Sequence, residues 1–318
     1  MEEQVYILHE NDEWTAPLAR QLDYHKIPYS LWHLDVGHLD LGTDPPPGVY
    51  FSRMSASSHT RDHRYAPELT AQVLGWLEAH NRVVLNGSGA LRLELSKVLQ
   101  HLSLNREAIK TPRTHAAVGK PQILEAAESF EGQPFIVKHN RAGKGLGVGL
   151  FRSLDALRDH LESIAYVPPV DGILLVQEYI VSPESYITRC EFVGGEFMYA
   201  VRVDTRDGFE LCPADSCQVG DLYCPAGEAA SLPSKFEILE DFSDPILSRY
   251  EKFLANNGIH VAGIEFIRDA HGAIYTYDVN TNTNYNREAE ARSGQNGMDR
   301  VARYLGAQLA QACRTTTA

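Results

Sequence analysis

Two runs of alternating apolar and polar residues flank the dipeptide His271-Gly272, in HVAGIEFIRDAHGAIYTYDVN. A period of two with a glycine at the centre predicts a β-hairpin that turns at this dipeptide. Counting outward from the turn places Phe266 opposite Tyr277 and Glu265 opposite Asp278. The chain must therefore contain an antiparallel pair of strands here, and the pairing decides which side chains meet.

The two faces of this predicted hairpin differ in polarity. Glu265, Asp278 and Asn280 share one face, because side chains alternate along a strand. Two carboxylates opposite each other destabilise a sheet unless a cation lies between them. Oxygen ligands suit a hard cation, Mg²⁺ or Mn²⁺. A solvated acidic face is the alternative, and the other face is expected in the core: Ile264, Phe266, Tyr277 and Val279.

A glycine-rich segment follows a strand-like run in PFIVKHNRAGKGLGVGLF. Lys138 lies at the end of the strand, and glycines recur at every second position from Gly143 to Gly149. Such glycines let a backbone approach a phosphate closely. The Gly-Lys-Ser/Thr ending of a Walker A loop is missing. A flexible turn is the alternative, but a lysine-bearing strand, a glycine loop and an acidic hairpin together favour nucleotide binding.

The order of the predicted elements indicates an α/β fold with an α+β part. Strand-like and helical segments alternate at the start of the chain, which predicts a parallel sheet covered by helices. YITRCEFV and EFMYAVRVDT instead alternate as antiparallel strands do. We expect three domains: residues 1–94, residues 95–176 with the glycine-rich loop, and residues 177–318 with the hairpin.

Composition excludes several partners. The formal net charge of −13 over 318 residues argues against non-specific nucleic-acid binding. No apolar run is long enough to span a membrane, and the N-terminus lacks the pattern of a signal peptide. We therefore expect a cytoplasmic protein with reduced thiols, and a homo-oligomer is left open. Three cysteines without a Cys-x-x-Cys pair are expected as buried or pocket-lining thiols rather than zinc ligands: Cys212, Cys217 and Cys224.

In their order, these motifs resemble the ATP-grasp superfamily, and within it the RimK-like amino-acid ligases. The resemblance runs over about residues 90 to 312 and implies an ATP-grasp fold preceded by an N-terminal α/β pre-ATP-grasp domain. It also implies an ATP-dependent carboxylate–amine ligase. Such an enzyme forms an amide or peptide bond through an acylphosphate, and it releases ADP and phosphate.

The resemblance assigns roles to individual residues. LELSKVLQHL is similar to the segment that carries a phosphate-binding lysine, and LLVQEYI is similar to the adenine hinge. The implied ATP-binding residues are Lys97, Lys138, Gly143, Lys144, Gly145, Gly147, Gln177, Glu178, Tyr179 and Ile180. The implied ligands of Mg²⁺ or Mn²⁺ are Glu265, Asp278 and Asn280, and the implied catalytic cations are Arg189 and Arg202.

The chain departs from the family pattern in two places. The loop after Asn280 reads TNTNYNREAEARSG instead of small residues with Pro-Gly, so Asn282 and Asn284 are expected to contact substrate; a polar loop is the alternative. The acidic residue expected before Arg189 is absent, since Ile187 and Thr188 stand there.

The substrates are expected to be a small-molecule carboxylate and an amine, with an amino acid or a peptide among them. Two other functions stay open on the sequence. One is a nucleotide-binding protein that keeps the fold without ligase turnover, and the other is a kinase-like ATP-grasp enzyme.

Overall fold

The computed structural model describes residues 3–130, 132–143, 147–206 and 235–316. Lys144 and Gly145 of the glycine-rich loop lie outside these ranges, as do the three cysteines at 212, 217 and 224. The described chain contains three sheets. None of the helices in the described ranges is long and apolar enough to cross a membrane.

The first sheet is parallel, with strand order β2-β1-β3-β4. Asn11 starts its first helix by accepting a hydrogen bond from the backbone N–H of Trp14 at 3.0 Å. This sheet confirms the parallel α/β region expected from the sequence. Its elements are β1 (Gln4–His9), α1 (Asp12–Tyr24), β2 (Tyr29–His33), β3 (Gly48–Ser52), α2 (Ala66–Ala79) and β4 (Val83–Leu85).

The second sheet is antiparallel, with strand order β5-β8-β6-β7. The helices Lys120–Glu128 and Leu154–Glu162 cover this sheet, and a core that includes Phe130 and Phe135 lies between them and the sheet. The elements are α3 (Ser88–Glu94), α4 (Lys97–Arg106), β5 (Thr114–Ala117), α5 (Lys120–Glu128), β6 (Phe135–His139), β7 (Gly149–Phe151), α6 (Leu154–Glu162) and β8 (Leu174–Glu178).

The third sheet is also antiparallel, with strand order β11-β10-β9-β12-β13. The last helix of the chain returns to the first sheet and shares a core with Val5 and Phe51. The elements are β9 (Tyr186–Val193), β10 (Glu196–Asp204), β11 (Phe236–Leu239), α7 (Ile246–Asn256), β12 (Val261–Arg268), β13 (Ile274–Asn280), α8 (Arg287–Ser293) and α9 (Gly297–Thr316).

The β12–β13 hairpin keeps one predicted pair and changes the other. Glu265 lies opposite Asp278, as expected, but Phe266 lies opposite Thr276 because the register shifts between these two pairs. Tyr277 is the extra residue of this bulge. Its side chain packs against the core, as expected, and also lines a pocket together with Asp278; the buried Thr276 bonds the Tyr250 hydroxyl at 2.6 Å.

Helix α4 covers the free edge of β13 through one glutamine. The side chain of Gln100 donates to the carbonyl of Val279 at 2.8 Å and accepts from its N–H at 3.0 Å. Gln100 is 1% exposed and so takes the place of a neighbouring strand. This contact fixes the helix that begins at Lys97 against the strand that carries Asp278.

Replacing Gln100 with Leu should lower the free energy of unfolding by about 1–3 kcal/mol, because it leaves buried backbone groups of Val279 without partners. Urea denaturation measures the change. Gln72→Leu, on an exposed position of α2, is the matched control and should stay near wild type. Equal stability of the two variants would show that the edge contact contributes nothing.

Candidate active site

A pocket of about 490 Å³ lies where the three sheets meet. Its lining comes from the first turn of α1, the end of α3, the start of α4 and strands of the second and third sheets. Arg202 and Gly147 are described by the structure but do not line it. The predicted residues that do are Lys97, Lys138, Gly143, Gln177, Glu178, Tyr179, Ile180, Arg189, Glu265, Asp278, Asn280, Asn282 and Asn284.

Two lysines enter this pocket from different elements. Lys97 begins α4, and the backbone of Asn140 accepts from its N–H at 3.3 Å. The Asn140 side chain also accepts from the N–H of Val98 at 3.0 Å. Because Asn140 lies two residues after Lys138, these bonds hold the start of the helix beside the end of β6.

The two lysines differ in charge state. Burial opposes protonation of Lys97, but Asp278, which accepts a hydrogen bond from its ammonium group, holds the pKa of Lys97 above its ordinary value. Burial, reinforced by the neighbouring Lys97, lowers the pKa of Lys138 to about 7. Lys138 therefore carries less than a full charge near neutral pH, and an approaching anion would favour its protonated form.

The acidic face of the hairpin lies in the same pocket. Burial raises the pKa of Glu265, and the opposing Asp278 adds to this shift. Burial acts in the same direction on Asp278, but Lys97 outweighs it and lowers the pKa of that carboxyl. Asn280 donates a long hydrogen bond of 3.4 Å to Asp278. Two opposed carboxylates and an amide oxygen form a donor set that suits a hard divalent cation.

Arg189, on β9, joins the hairpin to a second buried carboxylate. Its guanidinium donates to Glu191 at 2.6 Å, to Glu265 at 2.8 Å and to the Thr283 hydroxyl at 2.6 Å. Glu191 also accepts from Thr283 at 2.8 Å. The acidic partner that the sequence lacks before Arg189 is thus supplied two residues after it, on the same face of the strand.

Arg202 lies away from the pocket described here. Its side chain is 47% exposed and pairs with Glu237 at 2.6 Å on the neighbouring strand β11. Arg206, four residues later, lines the pocket instead. The position of Arg202 gives no support to the catalytic role expected for it.

The hinge segment forms the apolar end of the pocket. Ile136, Ile187 and Ile267 line the walls there. Gln177 is buried, and its side-chain oxygen has no hydrogen-bond partner among the described residues. The backbone N–H of Glu178 donates to Arg113 at 2.8 Å, so it is not available to a base.

The described parts of the glycine-rich loop adjoin the pocket. Gly143 lines it, as does Val148. Gly147 has a φ of +72°, and a Cβ there would lie 2.9 Å from the His139 ring. The backbone at Gly147 therefore requires glycine for both conformation and space.

Asn280, Asn282 and Asn284 recur at every second position, and we call them the asparagine ladder. Its last two members are held by Arg53, a residue that sequence reasoning missed. Arg53 is 4% exposed and follows β3; it donates to the side-chain oxygens of Asn282 at 3.1 Å and Asn284 at 2.8 Å. Because both oxygens are occupied, the amide NH₂ groups remain as donors. The two asparagines line the pocket, so they offer it hydrogen-bond donors suited to an anionic group.

Glu94 was also missed. It ends α3, lines the pocket and accepts from the N–H of Thr281 at 2.8 Å and from Ala56 at 3.2 Å. Burial raises the pKa of Glu94. No local pattern marks Glu94 or Arg53, because each meets its partners far away in the sequence.

Comparison with known proteins agrees with this arrangement. Residues 95–211 match the family of RimK-like ATP-grasp domains. This match assigns that segment of the chain to a RimK-like ATP-grasp domain. A probable alpha-L-glutamate ligase of Methanococcoides burtonii is 24% identical to this ATP-grasp protein over 238 residues, which cover 74% of the chain and 71% of that relative.

Solved structures share the fold of this ATP-grasp protein over nearly its whole length. The RimK domain protein ATP-grasp from Sphaerobacter thermophilus has a TM-score of 0.63 and 16% identity, covering 95% of this chain and 98% of its own. The ATP-grasp ligase PsnB, complexed with a phosphomimetic variant of minimal precursor, Mg and ADP, has a TM-score of 0.62 and 14% identity. The match covers 97% of this chain and 99% of PsnB. The predicted family, fold class and enzyme class, an ATP-grasp ligase, are thereby confirmed.

ATP binding should take up a proton near neutral pH, because the phosphates stabilise the charged form of Lys138, whose pKa in the free protein is about 7. Affinity should then fall by up to about tenfold per pH unit above 7. Calorimetry in buffers of different ionisation enthalpy measures the uptake. Lys138→Met should weaken binding and abolish the uptake, whereas Lys252→Met, at an exposed position, should change neither. Heats independent of the buffer would contradict this assignment.

The ladder should separate into two functional parts. Asn280→Ala should lower the rate with every carboxylate, because it removes a metal ligand. Asn282→Ala and Asn284→Ala should change apparent substrate affinity by about 5- to 150-fold, the cost of an unpaired polar group, and leave nucleotide affinity nearly unchanged. Steady-state kinetics and nucleotide titrations distinguish the two, with the exposed Asn256→Ala as the control. If Asn282→Ala and Asn284→Ala both keep wild-type kinetic constants for every substrate, the segment after Asn280 is only a polar loop.

Proposed function

We propose that this ATP-grasp ligase activates a carboxylate with ATP and joins it to an amine, with an acylphosphate as the intermediate and ADP and phosphate as products. One observation carries the proposal. A single pocket combines two lysines with two opposed carboxylates and an asparagine: Lys97, Lys138, Glu265, Asp278 and Asn280.

The two ends of this pocket suit different parts of the nucleotide. Its base fits the apolar end, where the unpartnered oxygen of Gln177 can accept from an exocyclic amino group. The backbone of Ile180 and the flanking Tyr179 complete this end. Glu184, on the rim, is better placed for the ribose than Glu178, whose carboxylate accepts from the N–H of Arg113 at 3.1 Å.

The phosphates lie at the polar end, between the two lysines and under the loop that includes Gly143. Mg²⁺ or Mn²⁺ fits the oxygen donors of Glu265, Asp278 and Asn280 and, when bound, neutralises charge on the phosphates. Lys97 bonds Asp278 in the free protein, and it would turn to a phosphate oxygen once a cation shares that carboxylate.

Arg189 holds the acyl-transfer region. Its three hydrogen bonds fix the guanidinium against Glu265, beside the position where a transferred phosphoryl group would carry its charge. A fixed cation requires no reorganisation during the reaction. Arg189 therefore positions Glu265 and stabilises the anionic acylphosphate.

The substrate carboxylate or a second anionic group fits the amide donors of Asn282 and Asn284. The similar protein from Methanococcoides burtonii is named a probable alpha-L-glutamate ligase, and PsnB was solved with a precursor. We accordingly place the substrates of this chain among amino acids and peptides. Neither a nucleic acid nor a membrane is proposed as a partner.

ADP release over a panel of amino acids and short peptides, offered singly and in pairs, tests the function. We expect turnover only with two substrates, with excess Mg²⁺, and its loss in EDTA. Asp278→Asn should abolish it, while Asp269→Asn, on the exposed hairpin turn, should retain it.

Other outcomes identify the alternatives. Turnover with one carboxylate and no amine would make the chain kinase-like. Nucleotide binding without turnover for any substrate would support a binding protein that keeps the fold. Full activity in excess EDTA would contradict the metal assignment.

A further inference from the structure

A second cluster of ligand-type side chains lies at the carboxyl end of the first sheet. His9 ends β1, His33 ends β2, and Asp12 begins α1. One potential ligand atom from each residue lies within 4.8 Å of the other two. None of the three lines the pocket described above. The parallel register places the two histidines side by side, with ring centroids 5.1 Å apart.

His9 has an unusual environment. It is 1% exposed, and neither ring nitrogen makes a hydrogen bond of normal geometry in the described part of the chain, although the backbone of Asn11 lies close enough to act on the ring. A buried polar ring without partners costs stability unless something else binds it. Burial, together with the adjacent His33, lowers the pKa of His9, so the ring is neutral and retains the lone pair with which imidazole binds a metal.

His33 is hydrogen-bonded to a neighbouring carboxylate. Its Nδ1 lies 2.8 Å from an Asp35 oxygen, and this hydrogen bond lowers the pKa of Asp35. Because a carboxylate can only accept, the proton is on Nδ1 and the lone pair is on Nε2. A carboxylate behind a histidine is the usual outer partner of a metal-binding imidazole.

We propose that His9, His33 and Asp12 bind a divalent transition metal, Zn²⁺ in preference to Mg²⁺, at a site separate from the nucleotide pocket. Two imidazoles and one carboxylate match the ligand preference of zinc. Bonds of about 2.0–2.1 Å place tetrahedral donors roughly 3.3 Å apart. The Nδ1 atom of His9 and the Oδ1 atom of Asp12 are 3.8 Å apart. The Asp12 side chain is 83% exposed, so it is free to close that gap.

The fourth position of the metal would face solvent beside Asp12 and take a water molecule. Arg53 is a cation that acts on His9, and the carboxylate of Asp12 acts in the opposite direction. A bound ion would tie the ends of two strands to the first turn of α1. It would thereby fix the helix whose Trp14 lines the active-site pocket.

Calorimetric titration of the full chain, freed of metal and held in excess Mg²⁺, with Zn²⁺ tests the site. We expect one zinc ion per chain and a rise in Tm. His9→Gln and His33→Gln each remove a ligand and should weaken zinc binding by roughly 100-fold or more. Asp35→Asn removes only the outer partner of His33 and should weaken it by about 10- to 100-fold. The Asp278→Asn variant should bind zinc as wild type does, which separates this site from the hairpin.

His63→Gln is the matched control. This histidine lies edge-on to His33 with centroids 5.6 Å apart, but its Nδ1 is bound to Glu10 at 2.8 Å. It should retain wild-type zinc affinity. If His9→Gln fails to fold by circular dichroism, His33→Gln carries the test, since its side chain is 34% exposed. Absence of zinc binding in the wild type, or wild-type zinc affinity in both ligand variants, would overturn the proposal.

Discussion

Opposed carboxylates on the β12–β13 hairpin are the constraint on which the rest of the active site depends. The buried Glu265 faces the partly buried Asp278, and like charges this close are unfavourable without cations beside them. Lys97 reaches Asp278 from α4, and Arg189 reaches Glu265 from β9. The electrostatic cost of one hairpin face therefore fixes the position of a helix and of a strand on either side of it.

Much of this site was predictable because its motifs are local. Hairpin alternation gave the Glu265–Asp278 pair, and a strand followed by glycines located Lys138. Alternation cannot show a bulge, since one extra residue leaves the pattern on both sides intact. Tyr277 packs against the core, as the alternation predicts, but it also lines the pocket, which the alternation does not show.

Arg189 and Arg202 show that a resemblance alone does not decide a residue's role, and that the pairing of its strand must be considered as well. Arg189 and Glu191 are two residues apart, so the period of a strand places them on one face, and the buried pair could have been found from sequence. Arg202 has Glu237 as its partner on β11 and remains half exposed. Contacts such as Arg53 with Asn282 join residues 229 positions apart, and nothing in either segment predicts them.

Charge balance explains why nucleotide and metal should enter this pocket together. Three cations and three carboxylates line its polar end before any ligand binds: Lys97, Lys138, Arg189, Glu94, Glu265 and Asp278. A triphosphate alone would add its negative charge to a set of groups whose formal charges balance, three cations against three carboxylates. A divalent cation bound with the nucleotide supplies the missing charge, and the partly protonated Lys138 supplies the remainder by taking up a proton. The pocket thus favours the metal–nucleotide complex over either component alone.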